Sequence, residues 1–379
     1  MFSKSSHKKH VHLIAFDIPY PSDYGGVIDI YNKLIAFKEN DVKVHLHCFE
    51  YGRKHSSKLN ELCESVNYYK RDISKTNLFR RRPYIVVTRS CDELIHNLME
   101  DNYPILFEGL HCCYYLADRR LKKRRKIVRT HNIEHDYYLN LAKIEKDIFK
   151  RYYYMNESQK LKRYESVLKE ASGIAVISNN DYIYFSSKYK NVKLVSAFHQ
   201  NNTIEIKTET GKYALYHGSL HVGENNEAAM YLINNVFNDI EIPLVIAGNK
   251  PSPELKQAVE GKKNIKLVSE VDTEGIFELI ENAQINILPT FQATGIKLKL
   301  LAALYNGKYC LVNSPMVRNT GLESLCVIKD TPELMKTEVV KLFNAPFEMS
   351  EIIKREEILL NNGFSNKHNI QRLMRMLFN

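Results

Sequence analysis

The sequence predicts an α/β protein of two domains, each a parallel sheet with helices on both faces. The chain has 379 residues, which is more than one hydrophobic core usually serves. Short apolar runs alternate with helical patterns, and this alternation restarts after a polar segment at 201–212. We therefore expect a first domain over 1–200, a second over 201–345, and closing helices over 346–379.

The first domain opens with an apolar strand at 11–16, a loop, and Gly25-Gly26 at the start of a helix that runs to about residue 39. A strand, a Gly-rich turn and a helix are typical of a doubly wound domain, where the glycines let the helix N-terminus approach a ligand. The later elements follow in order: strands at 42–48, 66–70, 105–107, 126–128, 173–177 and 192–195, with helical patterns at 92–99 and 134–170.

Polar residues follow the strand at 126–128, in the run Arg129-Thr130-His131-Asn132-Ile133-Glu134. In open parallel sheets, the residues just beyond the carboxyl ends of the strands line the ligand crevice. Polar side chains in such company are costly to bury without partners. His131 is therefore a candidate for chemistry, and a buried structural histidine is the alternative.

The second domain repeats the pattern and contains an unusual helix start. A strand at 285–288 leads into a helix at 295–306, which Gly307 ends. Lys297 and Lys299 lie in its first turn, where a cation is disfavoured by about 0.3–1 kcal/mol. The free amides of 294–297 point the same way, so we expect a phosphate or diphosphate site. Two solvated surface lysines are the alternative. The other elements are strands at 214–216, 244–247, 265–268 and 309–312, and helices at 225–237, 252–260, 273–282, 332–343, 349–360 and 365–377.

Composition favours a cytoplasmic protein without a metal. The chain is 44% apolar and 26% charged, and it has no apolar run long enough to cross a bilayer. Residues 1–10 are polar and basic and lack the apolar core of a signal peptide. The seven cysteines form no zinc-like pair of pairs, and the fourteen histidines form no recognisable ligand set.

Positive charge is concentrated in the first half of the chain. Residues 1–200 hold 35 Lys and Arg against 23 Asp and Glu, whereas 201–379 hold 19 against 21. The densest block, at 119–126, predicts contact with an anionic membrane surface, and a solvated turn is the alternative. The basic residues and aromatics are not arranged as in a nucleic-acid-binding module, so no nucleic acid partner is expected.

Two doubly wound domains with a phosphate site in the second resemble the GT-B glycosyltransferases, and family 4 in particular. The resemblance covers nearly the whole chain, and its most specific motif is Gly295-Ile296-Lys297-Leu298-Lys299-Leu300-Leu301. The Gly25-Gly26 turn, the segment at 129–134 and Tyr216-x-Gly218-Ser219-Leu220 are also similar to the family. It implies two Rossmann-like domains facing a central cleft, with the helices of 346–379 packing back on the first domain.

The resemblance also implies a role for each site residue. The second domain would bind a UDP- or GDP-linked sugar, with no further cofactor and no metal. His131 and Lys297 would be catalytic, with His131 near the transferred sugar and Lys297 neutralising the departing diphosphate. The donor site would comprise Gly25, Gly26, Gly218, Ser219, Val268, Ser269, Thr294, Gly295, Ile296 and Lys297. The acceptor side would comprise Tyr24, Asn132 and Glu134.

The chain departs from the family at two carboxylates. One normally lies near the donor sugar and another holds the ribose hydroxyls, whereas this chain has Thr294 and Ala302. Losing a charged hydrogen-bond partner costs about 1.5–3 kcal/mol. The usual Arg and Lys after the Gly-Ser-Leu turn are also absent from 221–225. These departures indicate an unusual donor or an impaired enzyme.

The leading hypothesis is a glycosyltransferase that moves a hexosyl group, mannosyl or glucosyl, from a nucleotide sugar to a polysaccharide or lipid-linked glycan. The resemblance implies retention of anomeric configuration and metal independence, and the basic half adds peripheral attachment to the inner face of the cytoplasmic membrane. One alternative is a catalytically impaired GT-B homologue that binds another glycosyltransferase. A nucleotide-sugar epimerase is the other, although it would need paired carboxylates that Ala302 does not supply.

Overall fold

A computed structural model describes residues 8–291, 298–361 and 363–379. The chain divides into two compact units. The first consists of residues 1–199 and 366–379, and the second consists of residues 200–365. Each unit contains one parallel sheet, and the two are described separately below.

The sheet of the first unit has the strand order β3-β2-β1-β4-β5-β6-β7, with every pair parallel. Its strands are β1 Lys9–Ala15, β2 Val42–Glu50, β3 Ser65–Lys70, β4 Ile105–Glu108, β5 Lys126–Thr130, β6 Gly173–Val176 and β7 Val192–Leu194. The helices between them are α1 Gly25–Glu39, α2 Lys58–Leu62, α3 Tyr84–Val87, α4 Asp92–Leu98, α5 Glu134–Ile144, α6 Ile148–Tyr164 and α7 Asn179–Ser186. The order reverses between β1 and β4, so a ligand crevice is expected at the carboxyl ends of these two strands.

The second unit repeats this topology with the order β10-β9-β8-β11-β12-β13, again all parallel. Its strands are β8 Ala214–His217, β9 Leu244–Ala247, β10 Ile265–Val268, β11 Ile285–Ile287, β12 Tyr309–Val312 and β13 Val327–Ile328. Its helices are α8 Gly223–Tyr231, α9 Pro253–Val259, α10 Thr273–Asn282, α11 Leu298–Asn306, α12 Ser314–Val317, α13 Pro332–Phe343 and α14 Met349–Arg355. The last helix of the chain, α15 Asn366–Phe378, belongs to the first unit.

The expectation that all of 346–379 packs on the first domain needs correction, because only α15 does so. Arg355 at the end of α14 is buried and donates to the carbonyls of Leu304 and Gly307, which fixes α14 in the second unit. In α15, the Asn369 carbonyl accepts from the backbone amide of Ser196 at 3.1 Å. Sequence periodicity shows both helices but not where each one docks.

Both faces of the first sheet are covered, as expected for parallel strands that read as continuous apolar runs. On one face, β1 residues such as Leu13 pack with Leu34 of α1 and Leu373 of α15. On the other, Val128 of β5 packs with Leu161 of α6. Among the described residues, no helix has the length and apolar character needed to cross a membrane.

The long helical region expected over 134–170 is two α-helices and a 3₁₀ segment. The break comes at Asp147, whose carboxylate accepts from the amides of Phe149 and Lys150 and so caps α6. Ser158 on α6 then donates to the carbonyl of His135 on α5 at 2.7 Å. The two helices therefore form a hairpin.

The basic block at 119–126 contains two kinds of residue. Arg124 is buried and donates to backbone carbonyls in the 98–103 segment. Lys126 is also buried and donates to the carbonyl of Leu116 at 2.7 Å, and Arg125 donates to a carbonyl of α15. The exposed members are Arg119, Arg120, Lys122 and Lys123. Arg124, Arg125 and Lys126 are therefore structural, which corrects their assignment to a membrane-binding block.

Candidate active site

His131 lies at the carboxyl edge of the first sheet and is paired with a buried carboxylate. It follows the last residue of β5, and Glu108 is the last residue of the neighbouring strand β4. Nε2 of His131 lies 2.9 Å from Oε2 of Glu108. The His131 side chain is 11% exposed, whereas Glu108 is fully buried. Because an ionised carboxylate only accepts hydrogen bonds, the shared proton belongs to Nε2, and Nδ1 is the second nitrogen available to a ligand.

Glu108 is held by a buried ion network that runs under the sheet edge. Lys33 of α1 lies 2.6 Å from Oε1 of Glu108 and 2.8 Å from Oδ2 of Asp29. Arg129 of β5 binds both oxygens of Asp29, at 3.0 and 2.9 Å. Burial alone would raise the pKa of Asp29, but Arg129 and Lys33 lower it below its usual value. The same holds for the pKa of Glu108, which Lys33 and His131 lower against the effect of burial.

The network brings together the one described set of side chains that has metal-ligand geometry. Asp29, Glu108 and His131 offer ligand atoms within 4.8 Å of one another. The ammonium group of Lys33, however, contacts both carboxylates of this set. Two buried carboxylates already neutralised by Lys33 and Arg129 give little reason for a further cation to bind. The arrangement instead fixes the position of the His131 ring.

The Gly25-Gly26 turn begins α1 as the sequence predicts. A Cβ atom on Gly26 would lie 2.6 Å from the Phe16 ring, so glycine allows this close approach. Tyr24 precedes the helix and donates to Asp17 at 3.0 Å, and no side chain caps the first amides of α1. Free amides at a helix N-terminus attract anions. They follow β1, whose carboxyl end borders the reversal of strand order.

Glu134 is buried, contrary to the expectation of an open polar strand end. Its exposure is 5%, and Thr130 at the end of β5 is buried as well. Asn132, between them, is partly buried. Burial, and then the charge of Asp181, raise the pKa of Glu134 to about 8. At neutral pH, Glu134 therefore carries its proton.

Sequence reasoning missed most of this environment. Asp29 and Lys33 lie four residues apart on a face of α1 that otherwise packs in the core through Ile30 and Leu34. Polar residues in the apolar phase of a helix are the signal that could have revealed them. Arg129 alternates with the apolar residues of β5 in the same way.

In the second unit, Gly218 and Ser219 follow β8, and Val268 and Ser269 mark the end of β10. A Cβ atom on Gly218 would meet the Asn225 side chain at 3.2 Å, which is a close contact. Asn225 donates to the carbonyl of Ser219 at 3.0 Å and so holds this turn against α8. These side chains lie on separate strands of one sheet edge.

Lys299 connects this turn with the start of α11. Its Nζ lies 2.9 Å from Oδ1 of Asn225 and 3.2 Å from the hydroxyl of Tyr216. The lysine therefore reaches back to the end of β8, as the prediction of an anion site at this helix start requires. Ala302, one turn further on, packs against an apolar cluster with Leu215 and Val245. Thr294, Gly295, Ile296 and Lys297 lie outside the described residues.

No protein-family model matches the chain. A curated relative, an uncharacterised 44.6 kDa protein in the cps region of Klebsiella pneumoniae, is 25% identical over 347 residues, which cover 84% of this chain and 87% of that protein. Among solved structures, TarM matches with a TM-score of 0.66 at 9% identity, covering 98% of this chain and 99% of that chain. WaaG, a glycosyltransferase involved in lipopolysaccharide biosynthesis, matches with a TM-score of 0.64 at 10% identity, covering 97% and 99%.

At these identities the similarity defines the fold. Both units are parallel-sheet α/β domains, and the matches extend over nearly the full length of each chain. The chain therefore has the fold of the GT-B glycosyltransferases, which confirms the fold class expected from its sequence. A TarM variant from S. aureus with the same overall match was solved with UDP, fondaparinux and α-GlcNAc-glycerol.

Proposed function

We propose that this protein is a glycosyltransferase that moves a hexosyl group from a UDP- or GDP-linked sugar to a polysaccharide or lipid-linked glycan. The observation that carries the proposal is the His131–Glu108 pair, held by a buried ion network at the edge where ligands bind in such sheets. Glycosyltransferases among the structural neighbours support it, one of them solved with UDP. A homologue that only binds another protein would have no need for a histidine fixed in this way.

The donor would bind in the second unit. Gly218 and Ser219 allow the diphosphate to approach backbone at the end of β8, and Val268 and Ser269 would border the base. Lys297 and the amides of 294–297 would neutralise the diphosphate. Lys299 lies close to the same turn and can add a second cation, which offsets the absent Arg and Lys at 221–225. A lysine and a helix N-terminus stabilise a leaving diphosphate without a metal.

His131 would act on the transferred sugar. With its proton on Nε2 directed at Glu108, Nδ1 can accept a hydrogen bond from a sugar hydroxyl. The amides of Gly25 and Gly26 would meet the diphosphate, with Tyr24 toward the acceptor. The leaving phosphate would take the proton of the acceptor hydroxyl on the same face as bond formation, so the anomeric configuration is retained.

Membrane attachment would use the α5–α6 corner, residues 143–152, rather than the buried end of the basic block. Phe149 is 88% exposed, and Ile144, Ile148 and Tyr152 are also exposed. Basic side chains surround them: Lys143, Lys146, Lys150 and Arg151. Apolar tips among basic residues suit an anionic bilayer surface, such as the inner face of the cytoplasmic membrane.

Calorimetry against UDP-, GDP-, ADP- and CMP-sugars tests the proposal, because a nucleotide that stabilises the folded protein establishes donor binding and identifies the base. We expect UDP- or GDP-sugars to bind, and Lys297→Ala to weaken binding by at least tenfold. Lys266→Ala, an exposed lysine on β10, is the matched control and should bind as the parent does. If none of the four nucleotide classes binds, the protein is a binding partner of another enzyme and the proposal is wrong.

A further inference from the structure

A second group of buried polar atoms lies at the same edge of the first sheet as His131. Among the described residues, four side-chain atoms there are buried and have no hydrogen-bond partner: Oγ1 of Thr130, Nδ1 of His111, Oε1 of Glu134 and Oδ2 of Asp181. Thr130, Glu134 and Asp181 are each more than nine-tenths buried. A buried polar group without a partner costs roughly 1–3 kcal/mol. Four in one place point to a ligand that satisfies them.

These atoms come from successive strand ends of the sheet. Thr130 ends β5, Asp181 lies in the first turn of α7 after β6, and His111 follows β4. Side chains alternate along a strand, so Thr130 faces the same side as Val128, whose core cluster includes Ile133 next to Glu134. The topology therefore brings them to one side of the sheet.

The His111 ring is positioned by a glycine turn. Gly109 has a φ of 72°, which favours glycine, and a Cβ there would lie 2.9 Å from Nδ1 of His111. Nδ1 lies 3.7 Å from Oε1 of Glu134, which is too far for a hydrogen bond. That distance would suit an ion pair only if both groups were charged. The pKa of His111 is well below its usual value because of burial, whereas the pKa of Glu134 is raised, so both groups are neutral near pH 7.

Arg89 is the cation nearest to this cluster, but its donors are already used. Its guanidinium group donates to the carbonyls of Phe16 and Ile85. Among the described residues, no lysine or arginine forms an ion pair with Glu134 or Asp181. Burial raises the pKa of Asp181 to about 6, so at neutral pH it is a carboxylate beside a protonated Glu134. The cluster thus combines donors and acceptors.

We propose that Thr130, His111, Glu134 and Asp181 form the subsite that binds an uncharged, hydroxyl-bearing sugar of the acceptor. A hydroxyl both donates and accepts, so it can serve the Glu134 proton and the Asp181 carboxylate together. An ammonium group only donates, and an anion would be repelled by Asp181. The Phe16 ring contacts both His111 and His131, with centroids 5.5 and 5.4 Å apart, so a sugar bound here lies near the candidate catalytic histidine.

This inference rests on the proposed function, and saturation-transfer NMR on the full chain tests it. The probes are methyl α-glucoside, methyl α-galactoside and methyl α-mannoside, with glucosamine and glucuronate as charged counterparts. At least one methyl glycoside should bind, and Thr130→Val should weaken it about threefold to tenfold, the loss of one hydrogen bond. Thr130→Val removes no hydrogen bond within the protein, so the fold should persist, and the exposed Thr203→Val is the control.

The pH dependence gives a second readout. Glu134 is faced by Asp181, Arg89, His111 and Tyr138, and above pH 8 it becomes a second carboxylate beside Asp181. Glycoside binding should therefore weaken above pH 8 in the parent but stay constant to pH 9 in Glu134→Gln, whose neutral amide cannot ionise.

Three results would overturn the subsite: no methyl glycoside binds, Thr130→Val binds like the parent, or glucosamine binds best. Nucleotide-sugar calorimetry reports separately on the donor. If nucleotide sugars bind but these variants behave as the parent, only the subsite is wrong. If glycosides bind as expected but no nucleotide does, the proposed function is wrong and the sugar site remains.

Discussion

The ring of His131 and the carboxylate of Glu108 form a hydrogen bond of 2.9 Å between the ends of two neighbouring strands. Glu108 is in turn bound by Lys33 at 2.6 Å, and the three groups connect a ligand-facing histidine to the buried interior of the first unit. A ring held by a buried carboxylate keeps one tautomer and one orientation. Catalytic histidines depend on both properties.

We expect His131→Ala to lower kcat about a hundredfold to a thousandfold while leaving nucleotide-sugar affinity within about twofold. The reason is that only an interaction stronger in the transition state changes turnover, and one positioned group typically contributes this much. Steady-state kinetics and calorimetry measure the two quantities. The exposed His96→Ala is the control. Lost stability with unchanged turnover in the folded fraction would show that His131 is structural.

Glu108→Gln tests whether the carboxylate positions His131. Removing one partner of a buried ion pair costs about 3–5 kcal/mol, so the single variant should be strongly destabilised. The double variant Glu108→Gln with Lys33→Met removes both charges and should recover much of that stability. Turnover should remain low, with a changed pH profile of kcat, because His131 still lacks its carboxylate. Recovery of the parent profile in the double variant would exclude this role for Glu108.

Replacing Ile148, Phe149 and Tyr152 together by serine should weaken binding to vesicles containing acidic lipid by at least tenfold. These side chains are exposed, so the melting temperature should stay close to that of the parent. Burying each apolar side chain is worth about 1.5–3 kcal/mol, which the variant loses. Vesicle sedimentation at low and high salt measures the effect.

The control for this membrane experiment changes the exposed part of the basic block, Arg119, Lys122 and Lys123, to serine. If these changes release the protein and the corner changes do not, attachment belongs to the block. Arg124, Arg125 and Lys126 are unsuitable for this purpose, because their bonds to backbone carbonyls hold the fold.

Acid should destabilise the first unit through a buried histidine pair. Nδ1 of His12 lies 2.9 Å from Nε2 of His47, and burial lowers the pKa of both. The unfolded chain then binds more protons below about pH 6.5, so stability is complete above that pH and falls as the pH decreases through it. Each such histidine removes about 1.4 kcal/mol per pH unit below 6.5.

Urea unfolding at pH 7.5 and 5.5 measures this effect. His47→Asn should be less stable than the parent at pH 7.5 but should lose less stability between the two pH values. His96→Asn, on the surface, should lose as much as the parent. Equal losses in His47→Asn and the parent would mean that another group titrates.

Much of the fold and part of the site follow from the sequence alone. Strands buried on both faces read as short apolar runs, so β1, β4 and β5 could be located without knowing their neighbours. Gly25 begins α1 as predicted, and His131 lies at the end of β5. These features depend on local patterns, which a sequence displays directly.

The tertiary structure alone decided which charges are functional and which are structural. Asp29 meets Arg129 across 100 positions of sequence, and Lys33 meets Glu108 across 75. Lys126, which looked like part of a solvated block, is buried. In a sequence, a solvated charge and a buried, paired charge are the same letter. Only the order of strands in the sheet brings distant residues together, and the cost of burying a charge then depends on the partner it meets there.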